Sequence, residues 1–311
     1  MIKKPMDVLI RFPVRKSQKQ KRLFRDEIQS YVSTFGYESK VEKGSLGSRN
    51  LIIGDPDNAK FLITAHYDTC AWLPFPNFIT PCNFLMFLLY QLLLTVLILG
   101  LAILAGVAVG VLIDSPELAG ITAYAALILI MVLILVGPAN RHNANDNTSG
   151  VVTVLEIART LPDNLRERVC FILFDLEEAG LVGSSSYWSK HKKIAKNQIV
   201  LNLDCVGDGN EIVFFPTRKL KKDSAKMSLL RQFCGKYGTK SIGIREKGFS
   251  YYPSDQAQFP YGIGICALKR GKRIGLYLDR IHTGKDTVLE ETNVNLLRAC
   301  LTSVIAANHT H

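Results

Sequence analysis

Between Phe84 and Ile113 the chain carries no charged residue, and beyond Asp114-Ser115-Pro116-Glu117 a second apolar run extends from Ile121 to Val136. A bilayer core is crossed by a helix of about 20 apolar residues. The first run is long enough with tilt to spare, and the second suffices once Leu118-Ala119-Gly120 joins it. The expectation is a transmembrane helical hairpin turning at Asp114–Glu117. The competing arrangement is a buried hairpin inside a large soluble core, but buried helices rarely run this far without a charge. A hairpin returns the chain to the side it left, so residues 1–80 and 139–311 share one side and form two pieces of one domain, with 81–138 as the insertion. No repeat or low-complexity linker divides them further. Gly100, Gly106 and Gly110 lie on the first helix. The last two have the spacing that lets helix backbones approach, either on the second helix or on a neighbouring protomer.

Charge speaks to sidedness. The net charge is +11, and the flanking pieces carry essentially all of it. The hairpin turn has two acids and no base, while Arg141 follows the second helix. Basic residues favour the cytoplasmic face, and Met1-Ile2-Lys3-Lys4-Pro5 does not open an apolar leader. The expected location is integral to the membrane, with two transmembrane helices and the flanking domain facing the cytoplasm. Seven cysteines, an odd number, with Cys170, Cys266 and Cys300 inside apolar segments, indicate packing rather than a disulfide framework. Lys3, Lys4, Arg11, Arg15, Lys16, Lys19, Lys21, Arg22 and Arg25 crowd the N-terminus, and Arg218-Lys219-Leu220-Lys221-Lys222 forms a second basic cluster. No stacking or groove-reading motif accompanies them, so no nucleic acid is expected. Attraction to anionic headgroups of the lipid bilayer and a plain solvated face are the two readings. Ser17 through Phe35 reads as an amphipathic helix covering one edge of a sheet.

The flanks carry chemistry. Phe61–Ala65, Val169–Phe174 and Ile199–Leu203 are short apolar runs that read as buried strands. They end at His66-Tyr67-Asp68, at Asp175 with Glu177-Glu178, and at Asp204. Asp146-Asn147-Thr148-Ser149-Gly150 opens a probable-helix pattern, Val151 to Ala158, with cap-type residues. Further helical patterns follow Glu178 and run from Leu296 to Ala307. Polar groups thus fall past the carboxyl ends of buried strands, where open α/β sheets place their sites, and strands alternating with helices predict a three-layer α/β domain. Each fragment alone is weak, because a His-x-Asp pair is commonly surface chemistry and paired glutamates commonly sit at a solvated helix start. Together with His282 they amount to two histidines and three carboxylates as metal donors, with further carboxylates beside them. Such a set can hold two ions about 3.5–4 Å apart with room for water and substrate. A metallohydrolase is expected.

The segments TAHYDT, NANDNTSG, FDLEEAGLVGS, LNLDCVG, SDQAQF and IHTGKDT resemble those of the di-zinc aminopeptidases of the bacterial leucyl aminopeptidase type, metallopeptidase family twenty-eight. The resemblance covers most of the chain outside residues 70–140. It implies an α/β/α zinc-peptidase fold with a mostly parallel central sheet, interrupted here by the two-helix transmembrane hairpin. It also implies two Zn²⁺ per chain and peptide substrates held by their free amino termini. His66 and Asp204 would hold one zinc, Glu178 and His282 the other, and Asp146 would bridge them. Glu177 would be the general base, and Asp68 would hydrogen-bond the far nitrogen of His66. Asp286 would play a supporting role, and a cis peptide would follow Asp146. Cys70 and Cys205 would pack rather than ligate. One departure is Gln256, where related enzymes often have histidine; glutamine donates a hydrogen bond but takes up no proton.

Three functions remain open on these residues. The leading one is a membrane-anchored aminopeptidase. Related folds also include glutaminyl cyclases, and a carboxypeptidase or amidase could use the same metals. The third is a non-catalytic receptor or scaffold. Because the insertion separates two metal-site segments, the catalytic mouth is expected near the bilayer, and zinc could be replaced by manganese or cobalt on such ligands.

Overall fold

A computed structural model describes residues 2–307. Ten strands form one sheet: β1 (Ser39–Lys43), β2 (Arg49–Ile53), β3 (Phe61–His66), β4 (Val169–Phe174), β5 (Ile199–Leu203), β6 (Glu211–Pro216), β7 (Gly235–Tyr237), β8 (Lys240–Ile244), β9 (Gly262–Gly271) and β10 (Gly275–Tyr277). Their spatial order is β1-β2-β4-β3-β5-β9-β6-β8-β7, with β10 beside β9. The heart of the sheet, β4-β3-β5-β9, is parallel, as the apolar runs require. Both flanks turn antiparallel, at β2 on β4 and at β6 on β9. All six residues of β3 and all six of β4 are buried, the pattern of strands covered on both faces.

Alternation along the strands builds two apolar layers. Phe61, Ile63 and Ala65 of β3 and Leu201 and Leu203 of β5 belong to the larger core. Helices α1 (Gln18–Ser33), α4 (Gly150–Thr160) and α6 (Glu291–Ala307) cover it. Leu62, Cys170, Ile172 and Val200 point the other way, towards Tyr187 of α5 (Val182–Ala195) and Phe259. The result is helix, sheet and helix in three layers. Helix α1 begins with a capping box, in which Ser17 accepts from Gln20 N and Gln20 reaches back to Ser17 N.

Three of the nine basic residues that crowd the N-terminus fold inward, while Lys3, Lys4, Arg11, Lys19 and Arg22 stay exposed. Arg15, Lys21 and Arg25 are buried. Lys21 Nζ lies 2.6 Å from Asp175 Oδ1, and Arg25 donates to the Tyr67 hydroxyl at 2.5 Å. The acceptors lie at or just past the ends of β3 and β4. By contrast, Arg218, Lys219 and Lys222 remain exposed, with Leu220 buried beneath them.

Helices α2 (Phe84–Ile113) and α3 (Pro116–Val136) form the hairpin. Each has an end signal in its sequence: Asn83 and Ser115 cap the two N-termini, and Pro116 opens α3. Asp114 ends α2 in a left-handed conformation. Both helices are long and apolar enough to cross a membrane. They are not core helices, because only Ala102 and Gly106 of α2 are buried and no residue of α3 is. What lies between them is small. A Cβ at Gly106 would sit 2.5 Å from Ala119 O, and one at Gly110 would sit 2.7 Å from Ala119 Cβ. The two glycines therefore serve the packing of α2 on α3, whereas Gly100 faces open space.

Candidate active site

Three of the five expected donors sit at the carboxyl ends of neighbouring parallel strands. β3 ends at His66, the β4 connection carries Glu178, and Asp204 follows β5. Asp146 comes from the turn that opens α4, and His282 from the loop after β10. The structure brings all five together. His66 Nε2 lies 3.2 Å from Asp146 Oδ1 and 3.8 Å from Asp204 Oδ1. His282 Nε2 lies 2.9 Å from Asp146 Oδ2 and 3.5 Å from Glu178 Oε2. The two oxygens of Asp146 therefore face one imidazole each. Glu177 Oε2 is 4.0 Å from His66 Nε2, on the wall of the same cavity.

Buried side chains hold these groups from behind. The Asp68 carboxylate accepts the backbone N–H of Glu177 at 3.0 Å and of Glu178 at 3.2 Å. Its distance to His66 Nδ1 is 3.5 Å, and that nitrogen makes no hydrogen bond. Asp68 thus orients the glutamate pair rather than closing a hydrogen bond on the ring. Asp286 accepts from Asn145 N at 2.7 Å and Asp146 N at 3.0 Å, so its support goes to the Asp146 backbone. The Asp146–Asn147 peptide is cis, and Asn147 Nδ2 donates to Leu203 O at 2.9 Å. Four non-glycine residues take positive φ around the site, at Leu176 (56°), Leu181 (61°), Cys205 (55°) and His282 (61°). Such conformations persist where surrounding contacts over-determine them.

Other contributors had no signal in the chain. Arg15 donates from Nε to Tyr67 O at 2.5 Å and from Nη2 to Thr148 Oγ1 at 3.1 Å, joining the His66 strand end to the Asp146 turn. Tyr252 donates its hydroxyl to Asp204 O at 3.0 Å. Gln256 spends its amide on structure: it accepts from Asn202 at 3.1 Å and donates to Tyr252 O at 2.7 Å. It does not line the cavity. The Cys205 thiol donates to Asp204 Oδ1 at 3.2 Å. Cys70 was expected only to pack, yet it lies in one donor cluster with Glu178 and His282, all within 4.8 Å of one another.

The electrostatics of the site are those of crowded acids. Burial, then the neighbouring Glu178 and Asp204 carboxylates, push Glu177 well above the ordinary carboxyl range despite the attraction of His66. Burial raises Glu178 to about 7 and Asp286 to about 8, with Asp146 adding to both. Burial lowers the His282 imidazolium, but Glu178 and Asp146 more than offset this and carry it to about 9. Burial also opposes the charge on Asp146, but hydrogen bonds from both histidines hold its carboxyl far below the usual range. Four carboxylates converge on two imidazoles, and Glu178 Oε1 and His66 Nδ1 are buried without a hydrogen-bond partner. Oxygen and imidazole donors in this arrangement fit a divalent metal, whose charge would offset the mutual repulsion.

This fold with this donor set defines a metallohydrolase. The model of peptidase family M28 matches residues 131–307, more than half of the chain, and the protein belongs to that family. Over 67 residues the chain is 42% identical to aminopeptidase YwaD of Bacillus subtilis. That match spans 21% of this chain and 15% of the relative's length. Among solved structures, it is similar to a Zn-dependent exopeptidase from Parabacteroides distasonis, with a TM-score of 0.60 at 17% identity over 97% of this chain and 94% of that one. The LapA aminopeptidase of Legionella pneumophila also gives a TM-score of 0.60, at 14% identity over 99% of this chain and 71% of that one. At these identities the likeness is one of fold.

Proposed function

We propose that this protein is a membrane-anchored zinc aminopeptidase that removes single residues from the free amino termini of peptides, using two ions. The observation that carries this reading is Asp146, whose two oxygens each face a different histidine. His66 and Asp204 would hold one ion, Glu178 and His282 the other, and Asp146 both. Zinc in such a site lowers the pKa of water towards neutrality and polarises the scissile carbonyl. Glu177 accepts the proton of the attacking water at its carboxylate and passes it to the leaving amine nitrogen. Asp68 holds Glu177 and Glu178 by their backbone N–H groups, so both keep their aim as the proton moves. The names of the relatives, an aminopeptidase and a Zn-dependent exopeptidase, agree with this chemistry.

The hairpin supplies the anchor, with the outward apolar faces of α2 and α3 in lipid. Charge favours the cytoplasm for the catalytic domain, and the chain's seven free thiols suit a reducing compartment.

The test is mass spectrometry of products from detergent-purified protein. Matched peptides would carry free, acetylated or glutamine amino termini, with and without a chelator. Stepwise loss of residues from free ends only, stopped by chelation and by Glu177→Gln, is the expected result. Loss of ammonia from the glutamine peptide without shortening would replace hydrolysis by cyclase chemistry. No change in any peptide by the zinc-loaded protein would refute the aminopeptidase reading.

A further inference from the structure

The cavity that contains the metal donors is not walled by the catalytic domain alone. Phe87 and Gln91 of the first hairpin helix line it together with His66, Asp146, Glu177 and His282. Helix lengths explain how a membrane helix reaches that far. α2 has 30 residues and α3 has 21. At about 1.5 Å per residue, α2 continues for several turns past the end of its partner, on the side where it enters from the catalytic domain. Those turns carry Phe84, Phe87 and Gln91.

They are also pinned. Asn83 Nδ2 donates to Ile274 O at 2.9 Å, and the Tyr90 hydroxyl donates to Pro76 O. Phe84 packs edge-on against Phe249 at 5.1 Å, and Phe87 meets Tyr251 at 5.3 Å between ring centres. The far end of the hairpin is tied to the same site. Trp72 N donates to Pro138 O, just past α3, and Leu73 N donates to His282 O, both at 2.8 Å. Around this junction Trp72, Phe84 and Tyr251 are 45–55% exposed. Exposed aromatic rings at the ends of apolar helices are the usual occupants of the headgroup level of a bilayer. The cavity, of about 440 Å³, therefore opens beside the membrane surface.

We propose that the hairpin is part of the substrate site. Phe87, with Phe78, Ile79, Tyr251 and Ile281, forms the pocket for an apolar side chain at the substrate's end, and Gln91 stands at its rim. The substrates are then peptides whose apolar amino-terminal segments partition into the membrane interface. This inference rests on the aminopeptidase reading and names its substrate class. Phe87 is a specificity-determining residue in it, and the anchor doubles as a recognition element.

The experiment uses the full chain, zinc-loaded, reconstituted in phosphatidylcholine vesicles containing phosphatidylglycerol. Two peptides differ only at the amino end, Leu-Phe-Leu in one and Gly-Ser-Gly in the other. The expected result is a lower KM for the apolar peptide in the wild type. Phe87→Ala should raise that KM about tenfold while moving the polar peptide's KM less than about twofold, and Phe87→Leu should recover most of the loss. Adding protein-free vesicles at fixed total peptide should slow cleavage of the apolar peptide alone, because it dilutes the substrate in the surface. Equal changes in both KM values would overturn the Phe87 pocket, and rates indifferent to added lipid would overturn delivery from the membrane. A wild type that cleaves neither peptide would instead bring down the parent reading.

Discussion

The catalytic domain and the hairpin use opposite rules of burial. In the sheet domain apolar side chains are hidden and many polar ones are hidden too, several of them paired, as Lys21 is with Asp175 and Arg15 with Tyr67 O. In the hairpin almost nothing is hidden: Leu101, Leu104, Leu112, Val111 and Val136 are all more than half exposed, and Gly106 and Gly110 let α2 approach Ala119 and Ala123 of α3 closely. The difference teaches what solvent each part was built for. Water drives apolar surface inward in the first; the second has the surface expected of the proposed membrane anchor, since lipid is as apolar as leucine and would leave van der Waals contact between small residues to hold the helices together.

The largest test of this contrast is chemical. Glu177→Gln should lower kcat about 10²- to 10⁴-fold while leaving zinc content, measured by atomic emission, unchanged. Loss of zinc would show that Glu177 is a ligand and not a base. Lys21→Met should come next, because it leaves Asp175 charged and buried with its cation removed. A loss of about 3–5 kcal/mol is expected, read by denaturant unfolding of the domain with secondary structure in the hairpin unaffected. The same kind of change outside the domain should behave differently. Leu104→Arg, on an exposed face of α2, would cost nothing in water but about 2.5–3.5 kcal/mol in a bilayer, measurable as reduced insertion in a membrane-integration assay. Full insertion would refute the lipid-facing assignment.

The smallest effect is on pH. In the chelated protein, burial raises Glu178 to about 7, Asp255 to about 7 and Asp286 to about 8, and His282 stands at about 9. Each keeps in the fold a proton that the unfolded chain releases at lower pH. Stability should therefore fall as pH rises from about 5 to 9, and zinc should flatten that slope. Asp68 and Asp146, whose carboxyls are held low, act in the opposite sense only below about pH 4. A chelated protein equally stable at both ends of the range would contradict the buried-acid description.

Much of this molecule was legible in one dimension because the signals were local. An uncharged run of thirty residues, an Asn or Ser at a helix start, and a strand that stops at a histidine need no partner to be recognised. The donors His66, Asp146, Glu178, Asp204 and His282, with Glu177 beside them, could be chosen because each closes a strand, opens a helix or matches a motif. Motifs pointed to the supporting residues as well, but not to the groups they contact. Asp68 serves the backbone of residues about 110 positions away, Asp286 the backbone of Asp146, and Gln256 only its neighbours in the core.

From sequence alone came the class of each segment, the candidate residues that the structure brings together and the existence of the helical hairpin, since periodicity, capping and length are properties of the chain itself. Tertiary structure alone decided that Arg15, Lys21 and Arg25 turn inward, that the sheet reverses direction at both flanks, and that Phe87 and Gln91 of the first hairpin helix line the same cavity as His66 and Asp146. Those outcomes depend on which distant acceptor or surface happens to lie within a few ångströms, and hydrogen bonds, ion pairs and packing act only over that range.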